Sequence, residues 1–469
     1  MSSTRLTVTR AVRTTVGLVG VAAAVATIVF AGRLDLPDIG GAPASVTVEP
    51  VAADQSRVCT GSLIELGQDA AAATAATSVG SPVVVAGDGV DGAATSSTLA
   101  APDDSAGREG PTVLSAEPSD GDSVLAGAQS QSVELERLSG FSASSCTETA
   151  AESWLVGGST DVGQTTVLTL ANPSTVDASV SLEVFGESGA VDASGASGIV
   201  VAAGSQRIIS LAGIAPNLLI PVVHVTSVGA PVAAALQQSA VRSITPEGVD
   251  VVGPSASPAD SQIIPGFIVP SSRPVDRADG YDFRVPGVRV LAPGGFDAQV
   301  TVVARASDGT LSEPRTVTTA AGTVTDVPLD DLAPGEYTLL VTSDQPVTSA
   351  GHSASSRDDK DDFAWFAATT PLAATATVAV PPGAQATMRI ANPTDEDRTV
   401  SLVSSGAETT VDVPAGGSIQ RDVDGDVVYE LSGTDGLHAA VTLLGDVGIS
   451  SYPLTAPSAA SDPVVVRMR

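Results

Sequence analysis

Three histidines and two cysteines are the only side chains in this 469-residue sequence suited to act as a neutral-pH base, a thiol nucleophile or a soft metal ligand. His224 lies in the apolar run Pro221-Val222-Val223-His224-Val225, which predicts a strand residue facing outward. His352 sits in Ala350-Gly351-His352-Ser353-Ala354 at the expected end of a repeat, and His438 stands beside Gly436 in a turn. No Gly-x-Ser-x-Gly elbow accompanies an Asp and a His in usable order, so no hydrolase triad is expected. The carboxylates are plentiful but poorly spaced. Asp358-Asp359-Lys360-Asp361-Asp362 reads as a solvated charge run between repeats. Asp422, Asp424 and Asp426 resemble the start of a calcium loop, yet Gly425 comes two positions early and Gly433 stands where a bidentate Glu is required. No glycine loop joins a strand to a helix in the way a nucleotide phosphate requires. The expected catalytic, cofactor-binding and metal sets are therefore empty.

The cysteines have a different use. Cys59 and Cys146 allow one intramolecular disulfide, closing a loop of about 87 residues; the alternative is a pair of buried thiols. An oxidising address fits the bridge, and the N-terminus supplies one. Thr14 to Gly32 is uncharged and long enough to cross a hydrocarbon core of about 30 Å as a helix. Arg5, Arg10 and Arg13 precede it, while Asp35 and Asp38 follow Arg33, which places the N-terminus in the cytoplasm and the rest outside. An uncleaved signal anchor is favoured over a cleaved signal peptide, because the apolar stretch exceeds the usual signal core; if the signal is cleaved, the chain is secreted.

Composition says what the exported part is built from. Apolar residues make up 43% but aromatics only 3%, so the cores must be made from Val, Ala and Leu, which favours sheet. A net charge of −31 repels nucleic acid and anionic headgroups, whose binding depends on basic side chains.

These residues must be positioned by short strands. Segments such as Thr166 to Leu170, Ala178 to Val184 and Gln206 to Leu211 are β-rich, recur every 8–12 residues or so, and are separated by Gly, Pro, Asn or Asp, the pattern of an antiparallel sandwich. Longer phrases also repeat. Leu170-Ala171-Asn172-Pro173 and Ile390-Ala391-Asn392-Pro393, with Leu291-Ala292-Pro293 between them, lead to Ala203-Gly204, Ala415-Gly416 and Ala321-Gly322. Proline ends a strand and asparagine closes a turn, so the phrases mark reversals of a recurring fold. The expected architecture is all-β, with tandem immunoglobulin-like antiparallel β-sandwich modules after one N-terminal transmembrane helix. Its parts are a cytoplasmic stub and anchor at 1–33, a stalk and disulfide-bounded Ala/Gly/Ser-rich region at 34–152, modules at 153–256, 262–358 and 363–455, and a tail at 456–469. Whether residues 67–127 form strands is left open by their weak alternation.

Arg57-Val58-Cys59-Thr60-Gly61, Cys146-Thr147-Glu148 and Ser153-Trp154-Leu155-Val156-Gly157-Gly158, together with the Leu-Ala-Asn-Pro phrase, carry a resemblance. The chain resembles an uncharacterised family, a domain of unknown function, of actinobacterial membrane-anchored secreted proteins. That resemblance implies an exported envelope protein with a cysteine pair and brings no catalytic residues with it. The expected function is non-enzymatic: a membrane-anchored envelope protein presenting its modules to an envelope protein or polysaccharide, with structural or interaction roles. A carbohydrate-binding module is the alternative and would need Trp154, Trp365, Tyr281, Tyr337, Tyr429 or Tyr452 exposed together on one face. A divergent hydrolase would need two carboxylates converging in a cleft.

Overall fold

Period-two alternation makes these segments strands. In Ala178–Gly186, Ala178, Val180, Leu182 and Val184 are buried while Ser179 and Glu183 are exposed. Ala298–Ala306 buries Ala298, Val300, Val302 and Ala304 in the same way, as a sheet with one packed face requires. The computed structural model describes residues 45–48, 55–67, 75–87, 94–116, 124–271, 281–357, 360–446, 448–455 and 464–467. The apolar segment at 14–32 lies outside them, and among the described residues no helix is long and apolar enough to cross a membrane.

The strands run in chain order. β1 is Ser45–Val48. A first group holds β2 (Gln55–Val58), β3 (Leu63–Leu66), β4 (Ala76–Val79), β5 (Val83–Gly87), β6 (Thr95–Thr98), β7 (Thr112–Ala116), β8 (Ala126–Glu134) and β9 (Ser139–Ser145). A second holds β10 (Glu152–Val156), β11 (Gln164–Asn172), β12 (Ala178–Gly186), β13 (Gly189–Val191), β14 (Ile199–Val201), β15 (Ser205–Ser210), β16 (Val222–Val228), β17 (Ala233–Arg242) and β18 (Thr245–Val252). A third holds β19 (Ala259–Val269), β20 (Gly287–Leu291), β21 (Ala298–Ala306), β22 (Arg315–Thr319), β23 (Val324–Pro328), β24 (Gly335–Arg357) and β25 (Lys360–Ala367). The fourth holds β26 (Thr375–Val380), β27 (Gln385–Ala391), β28 (Arg398–Ser404), β29 (Ala407–Val413), β30 (Ser418–Val423), β31 (Val427–Ser432), β32 (His438–Gly445) and β33 (Gly448–Pro453). β34 (Val464–Arg467) pairs with β1, Val48 opposite Val464, in a ribbon that forms a unit of its own.

Each of the last three groups is a two-sheet sandwich. One sheet orders β15-β11-β17-β18, β23-β20-β24-β25 or β30-β27-β32-β33; the other orders β10-β16-β12 with β13 and β14, β19-β24-β21-β22, or β26-β31-β28-β29. The 23-residue β24 serves both sheets of its module. This order departs from the immunoglobulin-like one expected, in which the second and fifth strands share a sheet. Here the second strand, β11, lies between β15 and β17, while the fifth long strand, β16, pairs with β10 and β12 in the facing sheet.

The first group is a reduced module of the same kind, preceding the other three. Its sheets are β5-β8-β9 and β2-β7-β6, with the β3-β4 hairpin added. Three modules bridge their first strand to the chain beyond their last in the same way, Val58 to Thr147, Trp154 to Ser255 and Ile263 to Thr369. Residues 67–127 thus contribute β4 to β7. Glutamines replace the missing strand contacts: Gln129 binds Gly61 through both N–H and C=O, and Gln237 of β17 does the same to Ile64. The expected boundary between 358 and 363 falls inside the β24–β25 hairpin, where Arg357 faces Lys360 and Ser355 faces Asp362.

The four modules close on themselves. Their last strands touch in the cyclic order β9, β18, β25, β33 and back to β9. The apolar cores run across the junctions: that of the second module includes Phe363 and Trp365, that of the third includes Ile449, and that of the fourth includes Phe141 and Ala143 of the first.

Cys59 and Cys146 are joined by a disulfide, as the sequence allows. It ties the end of β2 to the chain just after β9 and so staples the module whose two main sheets have only three strands each. Replacing both cysteines by serine is expected to destabilise the chain by about 2–5 kcal/mol, read as a lower denaturation midpoint, and reductant is expected to abolish the difference between variant and wild type.

Candidate functional site

β9, β18, β25 and β33 are sheet edges turned inward. Their outer N–H groups are buried beyond the reach of any strand, and a buried main-chain donor needs an acceptor. Asp362 of β25 supplies it for three modules at once. Phe141 N–H of β9 and Ile449 N–H of β33 donate to Oδ2, each at 3.1 Å, and Val249 N–H of β18 donates to Oδ1 at 3.2 Å. The residues preceding these donors are Gly140, Gly248 and Gly448, and each would drive a Cβ into the Asp362 carboxylate. Close approach therefore requires glycine in the first, second and fourth modules and leaves room for one side chain, Asp362 of the third.

A second polar layer lies two residues further along the strands. Asp250 of β18 accepts Trp365 N–H at 2.8 Å, and its Oδ1 is 2.7 Å from the Ser450 hydroxyl of β33. Ser450 Oγ in turn accepts Ala143 N–H of β9 at 2.9 Å and lies 3.0 Å from Ala143 O. Burial pushes Asp250 up to about 8 despite these donors. Asp362 is raised well above the ordinary carboxylate range by burial first and by the Asp250 charge as well.

Above Asp362 the axis opens into a pit of about 170 Å³. The β24–β25 hairpin straddles it, with Lys360 reaching Glu134 and Arg357 reaching Asp446, both at 3.4 Å. A larger cleft of about 530 Å³ near Val162, Leu219 and Phe283 carries Arg242, Glu247 and Asp282, which pair with one another.

The residues singled out in the sequence are scattered. His224 stacks on Trp154 with ring centroids 3.9 Å apart, and its nitrogens meet Glu183 and Glu152 at 2.8 and 2.9 Å. His352 is buried in mid-strand between Phe283 O and Asp326; although burial pushes Asp326 up, His352 and Arg289 hold it below the usual range. His438 opens β32 rather than standing in a turn, and burial lowers it to about 4 beside Thr369. Asp422, Asp424 and Asp426 lie at the β30–β31 connection, and among the described residues no group of three or more His, Cys, Asp or Glu could hold a metal. Trp154, Trp365 and Tyr452 are buried, Tyr337 and Tyr429 pack against cores, and Tyr281 alone of the six is exposed.

Asp250 carries no local mark in the sequence, and Asp362 reads there as part of a solvated charge run. The run at 358–362 looks solvated because of its composition, yet β25 is buried on both faces from Asp362 onward, so that Asp362 lies inside as Phe363 does. The available signal was Gly-apolar-Ser or Gly-apolar-Asp after a hairpin, at Gly140-Phe141-Ser142, Gly248-Val249-Asp250 and Gly448-Ile449-Ser450, with Asp362-Phe363-Ala364 as the odd member. Gly448→Ala is expected to displace the Asp362 carboxylate and leave buried N–H groups unpaired, costing about 2–4 kcal/mol. Gly294→Ala, whose Cβ would meet open space, is expected to change stability by less than about 0.5 kcal/mol; equal effects in denaturant titrations would contradict the axial role.

Comparison with known proteins gives a family and no activity. No curated protein matches the chain. Among solved structures, that of Thermotoga maritima 1070 is 14% identical over 24% of this chain and 92% of its own, with a TM-score of 0.20. The Anabaena sensory rhodopsin transducer is 17% identical over 21% of this chain and 97% of its own, with a TM-score of 0.18. Residues 103–424 match the Family of unknown function (DUF5719), and the chain, more than half of which is matched, belongs to that family.

Proposed function

We propose that this chain is a non-enzymatic, exported actinobacterial envelope protein, anchored by one N-terminal helix, whose ring of modules is a stiff platform for a protein partner. The export reading rests on the arginine-flanked apolar segment at 14–32 and on the disulfide. The non-enzymatic reading rests on how the chemically capable groups are engaged: Asp250 and Asp362 hold main chain, His352 and His438 are buried against partners, and His224 is stacked and doubly paired.

The observation that favours a protein over a polysaccharide is the character of the exposed apolar surface. A sugar platform uses flat aromatic faces, and here five of the six candidate rings are buried or packed against cores. Phe296 and Tyr281 apart, what stands out is aliphatic: on the second module Ser179 is paired with both Val200 and Val228, so that the two valines, 52% and 75% exposed, flank it in one row. Exposed aliphatic side chains of this kind offer no flat aromatic face to a sugar ring and suit an apolar protein surface.

Capture with residues 34–469 from solubilised envelope is expected to enrich a defined protein, and Val200→Glu with Val228→Glu to weaken that capture at least about tenfold, or ~1.4 kcal/mol. Enrichment of polysaccharide instead would replace this reading with the carbohydrate-binding one. In fractionation, the full chain is expected to stay with membranes through high salt and carbonate, and a chain lacking residues 1–33 to remain inside the cell; release of the full chain by carbonate would remove the anchor.

A further inference from the structure

The Ser450 hydroxyl has one proton and two acceptors. Ala143 O lies 3.0 Å from it and Asp250 Oδ1 lies 2.7 Å from it, while Ala143 N–H already donates to the same oxygen at 2.9 Å. If Asp250 is ionised, the single Ser450 proton serves either Ala143 O or Asp250 Oδ1 and not both, and Asp250 keeps only the Trp365 and Val251 N–H groups as other donors in a buried layer where an unpaired polar atom is unfavourable. A hydrogen on Asp250 Oδ1 completes the set: Oδ1–H donates to Ser450 Oγ, Ser450 Oγ–H donates to Ala143 O, and Ala143 N–H donates to Ser450 Oγ. Asp362, by contrast, meets three N–H donors and needs no proton to satisfy them. Two carboxylates so placed divide the roles of acid and anion.

We propose that the ring is latched by a proton on Asp250, which joins the second, first and fourth modules through Ser450 and Ala143 and whose loss in alkali loosens the axis. Ionisation would set a second negative charge facing Asp362 and withdraw the donor on which the Ser450 relay depends. Asp362 lines the pit, and Asp250 lies buried beneath it. The other charged groups about the pair are Lys360 and Asp361 on β25, Glu247 on β18 with Arg242 of β17, Arg284 before β20, Glu134 on β8, Arg357 on β24 and Asp446 between β32 and β33. β9 contributes none, and β33 contributes Tyr452, whose hydroxyl donates to Ala379 O. His352 of β24 and His438 of β32 are engaged with Asp326 and Thr369. The latch does not depend on what the platform binds.

The direction of the pH effect follows from linkage. Burial holds Asp250 near 8 in the folded chain, against about 3.9 for a free aspartate. Between those values the folded chain keeps a proton that the unfolded chain has lost, so this group's contribution is full in acid and declines as pH rises towards 8. Burial raises Asp362 as well, so a variant must isolate the effect of Asp250. Asp250→Asn keeps a donor facing Ser450 and cannot ionise. Thermal unfolding of the full chain is expected to show a wild-type midpoint that falls from pH 5.5 to 8.5 more steeply than that of Asp250→Asn, with the variant the more stable at pH 8.5; parallel curves would overturn the latch. Infrared spectra of the wild type are expected to show a protonated carboxyl band that titrates near pH 8 and is absent from Asp250→Asn. Its absence from the wild type at pH 6 would overturn the proposal, whether or not the variant folds.

Discussion

A sheet edge carried into a protein interior brings a row of main-chain N–H groups with no strand to receive them, and four such edges meet on the axis of this ring. Water cannot serve all of them there, and a fifth strand has no room. The acceptors are side chains that cross from module to module: Asp362 for Phe141, Val249 and Ile449, Asp250 for Trp365, and Ser450 for Ala143. Each of these bonds joins two modules, so satisfying the edges and closing the ring are one act.

The junctions between adjacent modules are governed by a related problem, solved with arginine. Arg289 of β20 and Arg389 of β27 hold matching places, one in Arg289-Val290-Leu291-Ala292 and the other in Arg389-Ile390-Ala391-Asn392, and both side chains are 1% exposed. Arg289 donates to Gly158 O and Pro221 O of the preceding module at 2.7 and 3.0 Å and lies 4.5 Å above the Trp365 ring. Arg389 reaches Glu336 of its own preceding module at 3.2 Å. A planar cation with five donors can meet several carbonyls and a carboxylate at once, which lysine cannot. The matching residue of β11 is Thr169, whose hydroxyl is bound within its own module to Ala235 O; there the junction is made by the β3–β4 hairpin and Gln237 instead.

What the sequence discloses and what it hides divide along physical lines. Strand alternation and turn chemistry are local, so the all-β class, the repeats and the Asn-Pro reversals could be read directly; Asn172 and Asn392 indeed bind the same two carbonyls of their own turns, those of Val176 and Val201 and of Glu396 and Val413. The cysteine pairing was legible because two cysteines leave one choice. Closure was not legible, because it depends on contacts between residues hundreds of positions apart, such as Ala143 with Ser450. The first module was hidden for a different reason: its strands are short and rich in Ser and Thr, so their alternation is faint until the Cys59–Cys146 bridge and the glutamines show what holds them. Asp362 was misread because a charge run suggests solvent, whereas its place on β25 is fixed by the hairpin and by Phe363 beside it.

The distribution of residues on the axis explains why the ring belongs to one chain. A ring of four identical subunits repeats each residue four times at its axis. Four aspartates there would bring four carboxylates into contact, and four glycines would leave the edge N–H groups unpaired in a space too small for a shared acceptor. One aspartate with three glycines satisfies both demands, with Asp362 filling the volume that Gly140, Gly248 and Gly448 vacate. The second layer breaks symmetry again, with Asp250, Ser450, Ser142 and Ala364 in corresponding places. Such an arrangement can arise only where the modules differ in sequence and are held in a fixed order, and covalent linkage in tandem supplies both. The repeated phrases therefore specify the sandwich, while the departures from repetition, Asp362 first among them, specify the ring.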